Sequence, residues 1–179
     1  MTYFEFYGLP ETLLADPKLV KQHYFAMSRK YHPDFFANES AEKQAEILEM
    51  STLNTKAYQT LGQPDLLIQY VLALHGLLDE SPPGTLPQNF LMEMMDLNEE
   101  IMDLQIDYSE AGMENVNQAV KQFEDQLDQT IDPVKAKFEG ATAEEKQELL
   151  LQLKDYYLKR KYLLRIRESL TKIASPNNR

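Results

Sequence analysis

An all-α chain in two helical domains is what the sequence predicts, on three observations. Apolar residues recur at three- and four-residue spacing almost throughout, no alternating run suggests a strand, and Pro and Gly crowd at Ser81-Pro82-Pro83-Gly84 and Pro87 between helical stretches. That cluster is the natural boundary, because Pro removes a donor and pushes its predecessor out of helical geometry. It divides the chain into residues 1–76, a linker 77–87 and residues 88–179. Charge shifts there too: residues 1–75 hold nine acids and six bases, the remainder twenty and twelve.

In the first half, Asp16-Pro17 offers an N-cap with Pro at the first helical position. It opens a helix that sets Val20, Tyr24, Met27 and Tyr31 on one side and must stop before Pro33. A second helix runs from near Ala41 to Leu61, with Ile47, Met50, Leu53, Ala57, Tyr58 and Leu61 as its stripe and Gly62-Gln63-Pro64 ending it. A third begins after Pro64 and carries Leu66, Leu67, Tyr70, Val71 and Leu74 before His75-Gly76.

The second half reads as three longer helices. Phe90, Met94, Leu97, Ile101, Leu104 and Tyr108 mark one stripe, and Val116, Val120, Phe123, Leu127, Ile131, Val134 and Phe138 a second. The last helix starts near Thr142, where Thr142-Ala143-Glu144-Glu145 offers a capping box, and runs through Leu149, Leu153, Tyr156, Leu163, Ile166, Leu170 and Ile173. Pro133 should kink or split the middle helix near Asp132. From Asp79 to Asp132 there are fourteen acids and one base, whereas from Lys154 to Lys172 there are seven bases and two acids. Opposite signs favour packing the last helix beside the acidic pair as a three-helix bundle, although an exposed ion pair contributes only ~0–1 kcal/mol.

Composition narrows the function. A net charge of −11 argues against general nucleic-acid binding, which requires concentrated Lys and Arg. With no cysteine, disulfides, thiolate zinc sites and a directly ligated iron–sulfur cluster are excluded. No apolar run approaches the ~18 residues of a membrane span, and the first residues, MTYFEFYGLP, lack the basic start of a secretory signal. A cytoplasmic protein with no cofactor and no membrane contact is expected. His32 beside Asp34 resembles half of an acid–base site, but no nucleophile or metal site accompanies it. His23 and His75 sit in apolar helical runs and read as packing residues. No catalytic residue is assigned.

The informative segment is Tyr31-His32-Pro33-Asp34, placed after a helix ending Arg29-Lys30. Pro locks the turn and presents a small polar cluster at the tip of a helical hairpin. With Tyr24, Met27, Lys30 and Tyr31 before it and Leu53-Asn54-Thr55-Lys56-Ala57-Tyr58-Gln59-Thr60-Leu61 and Pro64 after it, the first seventy or so residues resemble a J domain. The resemblance implies that His32, Pro33 and Asp34, with Lys21, Arg29 and Lys30, engage a DnaK-class ATPase chaperone and accelerate its hydrolysis of ATP. Gln22, Phe25 and Ala26 depart from that pattern, standing where bases are common, which suits a specialised partner.

The first helix of the second half has more apolar surface than one core stripe needs. Leu91, Met92 and Met95 lie on an adjoining face next to Asp96 and Glu99, covered either by neighbouring structure or by a partner. Phe90-Leu91-Met92-Glu93-Met94-Met95-Asp96-Leu97-Asn98-Glu99-Glu100 looks like the opening of the C-terminal domain of HscB-type co-chaperones. Tyr3-Phe4-Glu5-Phe6-Tyr7-Gly8-Leu9-Pro10 and Tyr70-Val71-Leu72-Ala73-Leu74-His75-Gly76 resemble other parts of that family, in which Leu67 is commonly Arg. The resemblance implies a bundle that holds the IscU-type iron–sulfur scaffold and delivers it to the HscA chaperone. Leu91, Met92 and Met95 would be the apolar contact and Asp96 and Glu99 its charged rim. Tyr162 joins from the last helix, with Tyr156 and Tyr157 as alternatives. A J protein with another client, or a non-catalytic coiled-coil adaptor, remains the competing reading.

Overall fold

The computed structural model describes residues 1–78 and 86–175, so the Ser81-Pro82-Pro83-Gly84 boundary lies outside the described residues. Every regular element among them is helical: α1 (Tyr3–Tyr7), α2 (Pro17–Lys30), a 3₁₀ turn (Pro33–Phe36), α3 (Ala41–Leu61), α4 (Pro64–Leu74), α5 (Gln88–Ile106), α6 (Glu110–Phe138) and α7 (Ala143–Ala174). Two compact units result. One is Met1–Leu78 with Lys135–Thr142, and the other comprises the described residues of Asp79–Val134 and Ala143–Arg179.

In the first unit, local chemistry sets each helix end. Thr2 Oγ1 accepts from the Glu5 N–H at 3.1 Å while Glu5 Oε2 accepts from the Thr2 N–H at 2.7 Å, a reciprocal cap on α1. Gly8 ends that helix in the left-handed conformation, φ 65°, which costs glycine no strain. Asp16 caps α2 through the Lys18 N–H, with Pro17 at the first position as expected. Pro64 opens α4 in the same way.

The α2–α3 hairpin is locked by one buried side chain. Asn54, 2% exposed, accepts from the Tyr7 hydroxyl at 2.8 Å, and its Nδ2 donates to the Tyr24 carbonyl at 3.1 Å and to Ser28 Oγ at 2.9 Å. One carboxamide thereby links α1, α2 and α3, and burial pushes the Tyr7 phenol pKa up. Asn54→Ala removes the side-chain bonds to Tyr7, Tyr24 and Ser28 and leaves the Tyr7 hydroxyl only its 3.1 Å bond to the residue-54 carbonyl, so a loss of about 1–3 kcal/mol is expected in urea unfolding followed by a probe in this unit.

The α4 face differs from expectation. Leu67, Ile68, Val71 and Leu72 are buried, while Leu66 and Leu74 lie on the exposed side and Tyr70 is half-buried. Tyr70 serves α1 instead, stacking on Tyr3 with ring centroids 4.4 Å apart and accepting its N–H at 2.8 Å.

The second unit is the expected three-helix bundle. Phe90, Met94, Leu97, Ile101 and Leu104 of α5 pack with Met113, Val116 and Val120 of α6 and Leu163, Ile166 and Leu170 of α7. On α7, Leu150 is buried and Leu149 is not fully so. Pro133 does not split α6, which continues to Phe138. The ring sits on the exposed side, between the buried Ile131 and Val134.

Opposite charge ties α7 to α6, as the sequence suggested. Arg167 donates to both Glu124 oxygens, at 3.2 and 2.7 Å, and to Asn117 Oδ1 at 3.2 Å; Arg160 Nη1 lies 3.4 Å from Glu124. The Arg167 hydrogen bonds hold the Glu124 carboxyl below the usual glutamate range, with both guanidiniums adding to the effect and partial burial opposing it. A carboxyl lowered in the folded state contributes stability above its unfolded value, about 4.3, and loses it as pH falls through the lowered folded value. Glu124→Gln is therefore expected to lower the bundle's melting temperature near neutrality and to flatten its decline in acid, measured by thermal melts across the acid range.

Candidate functional site

The tip of the α2–α3 hairpin is built for presentation. Tyr31 closes α2, its N–H reaching the Met27 carbonyl at 2.9 Å, and Pro33 starts the 3₁₀ turn at once. His32 caps that turn: its Nδ1 accepts from the Asp34 N–H at 3.3 Å. A neutral ring therefore carries its proton on Nε2. The imidazole is half exposed, and the Asp34 side chain is 86% exposed. The two side chains stand 3.8 Å apart at Nδ1 and Oδ2, beyond hydrogen-bond reach. This geometry offers two separate polar groups to a partner and does not form a coupled acid–base pair.

Lys21, Arg29 and Lys30 are all exposed on α2, as are Gln22, Phe25 and Ala26. Arg29 Nε donates back to the Phe25 carbonyl at 3.4 Å, and Lys30 Nζ lies 5.0 Å from the Tyr31 ring centre. Val20 is buried, while Tyr24, Met27 and Tyr31 are partly covered, so the outward and inward faces separate as the spacing required.

His23 is a packing residue, its ring 5.5 Å from that of Tyr7. His75 differs from expectation. It is exposed, with Nε2 2.8 Å from Glu11 Oε1, because the chain turns at Gly76, φ 66°, and leaves the apolar run behind.

The second candidate surface is the outer face of α5. Leu91, Met92 and Met95 are exposed together with Asp96 and Glu99. At 100° per residue they lie roughly opposite the buried stripe of Phe90, Met94, Leu97 and Ile101. Met94 is fully buried and Met95 is 66% exposed, so adjacent methionines serve opposite surfaces. The face also extends further than the sequence reading placed it. Met102 and Ile106, the latter 83% exposed, continue the stripe from Leu91 over about 22 Å of helix. The spacing Met95, Glu99, Met102, Ile106 was the signal, broken to the eye by Glu99-Glu100.

Of the three tyrosines left open, Tyr162 stands beside α5. Its hydroxyl accepts from Asn98 Nδ2 at 2.7 Å, and its ring meets Phe90 edge-on at 5.7 Å. Tyr156 is buried and donates to Asp128 Oδ1 at 2.8 Å, toward α6. Tyr157 is half-buried with Lys161 Nζ 5.9 Å from its ring centre, and burial pushes its pKa up.

No group of metal-ligating side chains is assembled among the described residues, and no described helix is long and apolar enough to cross a membrane.

The family model for the HSCB C-terminal oligomerisation domain matches residues 86–171. Two solved structures are similar over nearly the whole chain. The crystal structure of human co-chaperone protein HscB is 26% identical, with TM-score 0.74, covering 96% of this chain and 81% of that one. Chaperone HscB from Vibrio cholerae is 25% identical, with TM-score 0.63, covering 97% of each.

Proposed function

The chain belongs to the HscB-type co-chaperones, J-domain proteins of iron–sulfur cluster assembly, and on that premise we propose that it couples an IscU-type scaffold to an HscA/DnaK-class ATPase. Its N-terminal helical hairpin with the His32-Pro33-Asp34 loop is a J domain, and its last three helices form a bundle. In our reading residues 1–76 act on the chaperone, through His32, Pro33 and Asp34 with Lys21, Arg29 and Lys30. Residues 88–179 carry the scaffold on Leu91, Met92 and Met95, edged by Asp96, Glu99 and Tyr162. The protein works in the cytoplasm by binding, with the chemistry left to the chaperone.

The observation that carries this reading is an exposed tip in one unit and an uncovered apolar face, opposite its own core, in the other. Tethering the two raises the scaffold's local concentration at the chaperone to about the millimolar range without requiring either contact to be tight. A basic scaffold surface suits α5, which has five acids and no base. The same charge opposes pairing of two α5 faces between copies, since like charges would meet across the contact.

The test is steady-state ATP hydrolysis by an HscA-class chaperone with this protein and an IscU-type scaffold added separately and together. Stimulation by this protein alone, exceeding additivity when the scaffold joins, is expected. An unchanged rate in every combination overturns the reading.

A further inference from the structure

Helix α2 carries four bases, Lys18, Lys21, Arg29 and Lys30, and no acid, in a chain of net charge −11. Among those bases lies a ring that the core does not use. Phe25 is 49% exposed and falls between Lys21 and Arg29 on the outward face. Its neighbour Tyr24 turns inward to stack on Tyr58, ring centroids 4.4 Å apart, while Phe25 has Lys21 Nζ 6.0 Å from its ring centre. Gln22 and Ala26, both exposed and uncharged, flank it, so Lys21 is the cation that lies over the ring.

A second ring stands at the other end of this surface. Phe35 is 72% exposed and its centroid is 5.3 Å from that of His32, directly beside the tip. One solvated Phe is ordinary. Two of them, one among the bases and one against the presented imidazole, match the composition of an interface core, where aromatic and Arg anchors contribute most of the binding energy.

We propose that Phe25 and Phe35 are the apolar anchors of the chaperone contact, so that the ATPase partner is held by ring burial flanked by ion pairs. The inference rests on the reading that α2 and the tip face the chaperone. The surface that fits them is acidic, to match the bases, with apolar depressions for two phenyl rings within reach of His32 and Asp34. Salt screens the ion pairs and leaves ring burial intact. Coupling to the chaperone is consequently less salt-sensitive than it would be for a face on which Gln22, Phe25 and Ala26 were all basic.

The experiment measures the concentration of the full chain giving half-maximal stimulation of the chaperone ATPase, at low and at high ionic strength, for the parent, Phe25→Ala, Phe35→Ala, Phe25→Lys and Asp34→Asn. Both rings are exposed, so unchanged melting temperatures are expected and checked. Each alanine variant should raise that concentration about tenfold, by a similar factor at both ionic strengths. Phe25→Lys should recover affinity at low salt and lose it at high salt. Alanine variants matching the parent while Asp34→Asn loses stimulation would overturn the anchors and leave the chaperone reading standing. An inert Asp34→Asn removes both. If sedimentation shows a dimer that Phe25→Ala dissolves while stimulation is unaltered, the rings serve a second copy and the inference is wrong.

Discussion

Asp34→Asn is expected to return the chaperone's ATPase to its basal rate at concentrations where the parent saturates, with the melting temperature of the J domain unchanged. The carboxylate has no structural task that asparagine fails to meet. It is the Asp34 backbone N–H, not its side chain, that donates to His32 Nδ1, and the side chain is turned to solvent. What changes is one negative charge at the point of contact. Truncating one partner of a desolvated, hydrogen-bonded charge pair costs about 2–5 kcal/mol, or roughly 30-fold and upward in the complex. Stimulation within twofold of the parent, measured by coupled ATPase assay, would show that the tip is not where the chaperone is engaged.

The second large effect is expected from Met92→Ala combined with Met95→Ala, read as affinity for an IscU-type scaffold by titration calorimetry. Both side chains are exposed, so the bundle should lose no more than about 0.5 kcal/mol. Covering a Met side chain on binding contributes about 1.5–2 kcal/mol, so the pair should weaken the complex by a few hundredfold if their contributions add, on the order of 3–4 kcal/mol. Met94→Ala provides the contrast one position away. That side chain is fully buried between helices, and its loss is expected to cost folding stability of about 2–5 kcal/mol. An unaltered affinity in the double variant would remove α5 as the carrying face.

How much of this was legible in the sequence depended on the kind of signal. The ends of α2, α3 and α4 were readable because Pro17, Pro33, Gly62 and Pro64 act locally through backbone geometry, at places where the apolar stripe also ends. Helix α1 was not predicted as a helix, since its five residues span little more than one turn and cannot display a period. The inward side of α4 was misread for the opposite reason. Six of its eleven residues are Leu, Ile or Val, and a helix apolar nearly all round gives periodicity nothing to choose by. Pro133 was expected to break α6, but its ring sits on the outer side, between the buried Ile131 and Val134, and the helix runs on to Phe138. The tip and the first half of the α5 face were visible as a rare tripeptide and as an excess of Met and Leu over what one core requires. Met102 and Ile106 were overlooked because acids interrupt the run, and the exposed state of Phe35 was a matter of turn geometry that no spacing encodes.

The single carboxamide of Asn54 has a mechanical consequence. Each arm of the hairpin and the short opening helix are pinned to it, so sliding one arm by a turn against the other would break its bonds to Tyr24 and Ser28 in partly buried surroundings. The J domain should accordingly transmit torque from its loop as a stiff lever, without absorbing it by shearing.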